Sequence, residues 1–88
     1  GYGLTSKAGK IRLHQYEAYV IYDSLYIIDP GLATDDVMEM IKKVEDGSLN
    51  ISRIVLYPYS IIFNVLHELK KNIANLRNNR NIVVVERY

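Results

Sequence analysis

The sequence predicts an α/β domain of order ββαβαβ, a mixed sheet with two amphipathic helices and a C-terminal βαβ unit. Three observations carry this reading. β-branched and aromatic residues gather in four short runs near residues 16–22, 25–28, 53–57 and 82–85. Between the later runs, apolar residues recur three and four apart, the period of a helix with one buried face. Pro, Gly and paired Asn mark the boundaries.

Gly1, Gly3 and Gly9, with Thr5, Ser6 and Lys7, predict a flexible basic entry segment over residues 1–10. Order is expected from about Ile11, so that residues 11–88 form a single small domain. The first two strands hold Tyr16 to Tyr22 and Leu25 to Ile28 and are joined at Asp23-Ser24. A two-residue turn there sets Tyr22 opposite Leu25 and Val20 opposite Ile27 on one face, and Tyr19 opposite Ile28 and Ile21 opposite Tyr26 on the other. Both faces are apolar, whereas a hairpin with one wet face alternates apolar and polar. Tyr19, Ile21, Tyr26 and Ile28 are therefore candidate interface residues.

Asp29-Pro30-Gly31 ends the second strand. Thr34 is placed to cap the first helix, with Asp35 and Asp36 where the helix dipole favours negative charge. Val37, Met40, Ile41 and Val44 form its stripe, and Gly47 stops it. Arg53 to Tyr57 is the third strand. Ser60 is placed to cap the second helix, whose stripe is Ile62, Leu66, Leu69, Ile73 and Leu76, widened by Ile61 and Val65 and ending near Arg77. Ile82 to Val85 is the fourth strand. The last two strands are continuous apolar runs, as expected of a parallel sheet buried on both faces.

Composition excludes several classes. The chain has 88 residues, enough for one domain with a stability of roughly 4–13 kcal/mol. It is 49% hydrophobic, too apolar for a disordered tail. It has no Cys, so disulfides and thiolate metal sites are impossible, and no metal site is expected. The longest apolar run, Ala18 to Tyr22, is far below the ~20 residues of a membrane helix. We expect a cytoplasmic chain with no membrane partner. Because it begins at Gly1 and carries a surplus apolar strand face, we expect a fragment of a longer parent, the remainder of which is a partner.

No catalytic constellation emerges. Gly3 to Lys10 superficially suggests a phosphate loop, but five residues separate Gly3 from Gly9 where four are needed, and Ile11 stands where Ser or Thr must hold magnesium. His14 and His67 belong to no recognisable triad. Asp23, Asp29, Asp35 and Asp36 each have a local structural reason to be acidic.

Charge placement says more than the net +1. Residues 1–20 carry +2, residues 21–50 carry −5 and residues 51–88 carry +4. Lys7, Lys10, Arg12, Lys70, Lys71, Arg77 and Arg80 are candidate DNA contacts, the last four accompanied by Asn64, Asn72, Asn75, Asn78, Asn79 and Asn81. Cations near a helix C-terminus also complement its dipole, so a purely structural role stays open. The eight tyrosines suit a half-buried sheet or a protein interface, and exposed ones beside cations can stack on unpaired bases. Tyr57, Tyr59 and Ser60, at a strand's carboxyl end before a helix, are candidates for an anion site.

Arg12-Leu13-His14-Gln15-Tyr16-Glu17 with the following Tyr19 to Asp23, then Leu69 to Asn79, then Val85-Glu86-Arg87-Tyr88, resemble the region downstream of the catalytic core in bacterial adenine-specific DNA methyltransferases of restriction-modification systems. The catalytic marks of that family are absent: there is no Gly-rich S-adenosylmethionine loop, and Asp29-Pro30 is followed by Gly31-Leu32 instead of Pro-Tyr. The resemblance implies a non-catalytic C-terminal accessory domain that holds no cofactor of its own. Its parent would be an S-adenosylmethionine-dependent adenine methyltransferase, and its role would be core support, DNA contact or subunit pairing. The alternatives are an oligomerisation module, closed as a homodimer through the Tyr-rich strands, or a small anion-binding α/β domain.

Overall fold

The computed structural model describes residues 8–76 and 81–87. The strands are β1 (Ala8–Arg12), β2 (Glu17–Ile21), β3 (Ser24–Ile27), β4 (Arg53–Leu56) and β5 (Val83–Glu86), and the helices are α1 (Thr34–Glu45) and α2 (Phe63–Ala74). Among the described residues the strands form one mixed sheet in the order β1-β2-β3-β4-β5. β1–β2 and β2–β3 pair antiparallel, while β3–β4 and β4–β5 pair parallel. The mixed α/β class and the C-terminal βαβ unit are as the sequence predicts, and the sheet gains a strand at its N-terminal edge.

That added strand takes residues 8–10 from the expected entry segment, so regular structure begins before Ile11. Gly and Ala are poor strand formers, and β1 exists because its backbone pairs with the Tyr-rich β2 from Ala8↔Ile21 to Arg12↔Glu17. Residues 1–7 lie outside the described residues.

The hairpin turn also differs from expectation. Ile21 pairs with Ser24, so the turn residues are Tyr22 and Asp23. Tyr22 adopts φ 57°, a left-handed conformation that favours glycine. Asp23 fastens the turn to β4: its carbonyl accepts the Ser52 amide at 2.8 Å, and its Oδ2 accepts the Ser52 hydroxyl at 2.5 Å. The register is displaced by two residues relative to expectation. An even slip leaves the paired strand residues on their expected faces, while Tyr22, expected opposite Leu25, moves into the turn.

The β3-to-β4 and β4-to-β5 crossovers step in one direction along the sheet, and right-handed connections of this kind put both helices on one face. α1 and α2 pack against each other there. The core joins Ala18, Leu25, Ile27, Ile54 and Leu56 of the sheet to Val37, Met40, Ile41 and Val44 of α1 and Val65, Leu69 and Ile73 of α2. The α1 stripe is as predicted, but its N-cap is Ala33, with Thr34 as the first helical residue. Gly47, at φ 86°, follows the helix as its stop.

The α2 stripe is narrower than expected. Ser60 caps no helix; it closes a short 3₁₀ turn over Pro58–Ser60, and the N-cap of α2 is Ile62. Ile62 therefore leaves the stripe and stands exposed, as do Tyr59 and Phe63. β4 is buried on both faces, as a central parallel strand should be. β5 is an edge strand with Val83 exposed, contrary to expectation, because nothing among the described residues pairs with its far side.

Candidate functional site: the open sheet face

The register defines the face away from the helices. Its central row runs Lys10, Tyr19, Tyr26, Val55, Val85 across the five strands. The row toward the β2–β3 turn holds Ile21, Ser24, Arg53 and Val83. Extending the pairings by one residue gives a third row of Arg12, Glu17, Ile28, Tyr57 and Arg87. The Arg87 amide bonds to Leu56 O at 2.8 Å and so continues the ladder. Val55 is 2% exposed yet stands outside the helix-side core, buried among its neighbours on this face.

Gly9, Lys10, Tyr19, Ile21, Tyr26, Ile28 and Tyr57 line a shallow depression of about 520 Å³ on this surface. The four expected interface residues, Tyr19, Ile21, Tyr26 and Ile28, thus come together. Lys10 Nζ lies 5.4 Å from the centroid of the Tyr19 ring, within cation–π range.

The candidate DNA contacts do not converge. Lys10 and Arg12 are exposed on β1, at one edge of the sheet. Lys70 and Lys71 are on α2, and Lys70 Nζ pairs with Glu86 Oε2 at 2.7 Å, on β5 at the opposite edge. Four strand spacings, about 19 Å, separate the two edges. Lys7, Arg77 and Arg80 lie outside the described residues. Sequence reasoning missed Arg53 and Arg87, which share the open face with Lys10 and Arg12. The signal was strand parity: Arg53, Val55 and Tyr57 alternate on one side of β4, and Val85 and Arg87 on the same side of β5.

The expected anion site is arranged differently. Ser60 is 1% exposed, its hydroxyl lies 2.6 Å from Tyr57 O and 3.1 Å from Ile27 O, and its amide donates to Tyr57 O at 2.8 Å. Its donors tie the β4–α2 connection to β3. The rings of Tyr57 and Tyr59 stand 5.8 Å apart.

The strongest polar constellation lies at the other end of the hairpin. Asp36, 2% exposed at the start of α1, accepts three backbone N–H groups: Gln15 at 2.7 Å, Tyr16 at 3.0 Å and Ala33 at 3.0 Å. Burial opposes its charge, but the three amides, with His14 nearby, outweigh it and hold the carboxyl below its ordinary value. A 340 Å³ hollow beside it is lined by His14, Gln15, Tyr16, Pro30, Gly31 and Asp35. Both Asp36 oxygens already accept backbone donors, so this acid organises the chain. Among the described residues no three His, Cys, Asp or Glu side chains are grouped to hold a metal ion, and no helix is long and apolar enough to cross a membrane.

These features define a two-layer α/β domain: helices on one side of a sheet, with an aromatic and basic face on the other. The chain belongs to the Type III R-M EcoP15I C-terminal domain family, whose model matches residues 1–82. R-M denotes restriction-modification, so the restriction-modification and C-terminal-domain parts of the sequence resemblance stand. Comparison with curated proteins gives no match.

Proposed function

We propose that this chain is a non-catalytic accessory domain of an S-adenosylmethionine-dependent, adenine-specific DNA methyltransferase within a Type III restriction-modification enzyme, and that it acts by presenting a binding surface. The observation that carries the reading is the open sheet face, where Tyr19, Tyr26, Ile28 and Tyr57 surround a depression beside Lys10. The family match supplies the restriction-modification setting. A domain of this kind holds no cofactor and leaves methyl transfer to the parent's core. Exposed Ile62 and Phe63 at the head of α2 offer a second apolar contact, suited to packing on the remainder of the parent.

Charge disfavours the homodimer alternative. A two-fold interface sets one patch against itself. Pairing the open faces of two copies would bring Lys10, Arg12, Arg53 and Arg87 against the same set. The anion-site alternative loses its main donors to the ties made by Ser60.

Deleting this domain from the parent enzyme tests the reading. We expect S-adenosylmethionine binding to persist while DNA affinity or subunit assembly falls at least tenfold. Loss of S-adenosylmethionine binding, or unchanged DNA affinity and assembly, would contradict it.

A further inference from the structure

We infer that the open sheet face is a platform for single-stranded nucleic acid, with unpaired bases resting on Tyr19, Tyr26 and Tyr57 and phosphates held by Lys10, Arg12, Arg53 and Arg87. The inference rests on the binding-surface reading proposed above and names the ligand that surface takes.

Charge on the face suits a polyanion. Among the described residues the face carries those four cations against one carboxylate, Glu17, with Asp23 at its border near Arg53. The helix side is mixed: α1 carries Asp35, Glu39 and Glu45 against Lys42 and Lys43, and α2 carries Glu68 against Lys71 and Lys70, the latter paired with Glu86. A polyanion is therefore drawn to the sheet face. The same charge excess opposes a second copy of this chain, since a two-fold interface would set these cations against themselves.

Ring placement suits unpaired bases. Tyr19 and Tyr26 are direct cross-strand neighbours. Tyr57 lies on the next strand, one two-residue step along, roughly 8 Å from Tyr26 by strand geometry. All three are half-buried and line the depression. Aromatic rings spaced across a sheet receive bases splayed from one another, and stacking of this kind tolerates any sequence because every base has a π-face. Lys10 Nζ stands over the Tyr19 ring, 5.4 Å from its centroid, and a base stacking on that ring face displaces this flexible side chain toward the flanking phosphate. A duplex keeps its bases paired and can use only the cations.

Fluorescence anisotropy tests this on the 88-residue chain, with a labelled 12-nucleotide single strand of mixed sequence and the matching duplex as probes. We expect the single strand to bind at least tenfold more tightly than the duplex. Tyr26→Leu should weaken it about tenfold, with circular dichroism confirming the fold. Lys10→Ala and Arg53→Ala replace exposed side chains and leave the core alone; each should weaken binding and lower the salt slope by about 0.7. Lys71→Ala, on α2, should leave binding unchanged. Equal affinity for duplex, insensitivity to Lys10→Ala and Arg53→Ala, or no binding at 100 μM would each overturn the inference. So would self-association of the chain that Tyr26→Leu abolishes, which would make the face a protein interface. Any of these would leave the accessory-domain reading to be judged by the parent deletion.

Discussion

Asp36 Oδ1 accepts the backbone N–H of Tyr16 across twenty residues of chain, at 3.0 Å. This contact, with those to Gln15 and Ala33, makes one carboxylate the junction between the β1–β2 loop and the start of α1. Hydrogen bonds to a buried charge are worth more than neutral ones, and deleting the acceptor leaves the donors unpaired. Asp36→Ala should cost about 3 kcal/mol in urea denaturation. Asp36→Asn should cost about 2 kcal/mol, because its amide nitrogen would face a backbone donor. A loss below about 1 kcal/mol for both would show that the junction does not hold the fold.

The same carboxylate gives a pH dependence. Its folded-state pKa is lowered below 3.8, so the folded protein releases the proton more readily than the unfolded chain does. Its contribution is complete above the unfolded value and is lost as pH falls through the folded one. Denaturant midpoints should decline below about pH 4 in the wild type, and Asp36→Asn should flatten that decline. An equally steep decline in the variant would assign it to other acids.

Tyr16 supplies a second buried tie. Its hydroxyl donates to Asp29 O at 2.5 Å, anchoring the start of β2 to the end of β3. Burial is the main cause that pushes this phenol up to about 12, with the Asp29 charge adding to it. Because the folded value is raised, the associated stability is present below pH 10 and is lost as pH rises toward 12. Tyr16→Phe should remove this alkaline dependence and cost about 1 kcal/mol at neutral pH. A spectrophotometric titration should show that Tyr16→Phe removes one phenol ionising near pH 12.

Tyr22 is 61% exposed and holds a left-handed backbone, so its side chain offers little packing to offset the strain. Tyr22→Gly should raise stability by about 0.5–1 kcal/mol by thermal or chemical denaturation. A loss would mean that the ring contributes contacts on the surface of the hairpin turn.

Legibility in the sequence followed local chemistry. The α1 stripe was readable because Val37, Met40, Ile41 and Val44 keep helical period and all reach the core. The open face was readable because Tyr19, Ile21, Tyr26 and Ile28 alternate with residues of the opposite face. β1 was not, since Gly9, Lys10 and Arg12 lack a strand signature and depend on pairing with β2. The turn was misplaced because Asp23-Ser24 has better turn chemistry than Tyr22-Asp23, while pairing of Ile21 with Ser24 and the Ser52 clamp decide the outcome. Spacing alone places Ile62 in the core, and the Pro58–Ser60 turn moves it outside the helix. The basic set was assembled from charge density along the chain. The sheet instead separates Lys10 from Lys70 and gathers Arg53 and Arg87 from distant segments.

The most direct measurement is an NMR titration of the isotope-labelled chain with the 12-nucleotide single strand, read residue by residue. The account predicts amide shifts concentrated at Lys10, Tyr19, Tyr26, Val55 and Tyr57, with α1 and α2 silent. Shifts centred on Lys70 and Lys71, or none on the sheet at saturating strand, would contradict it.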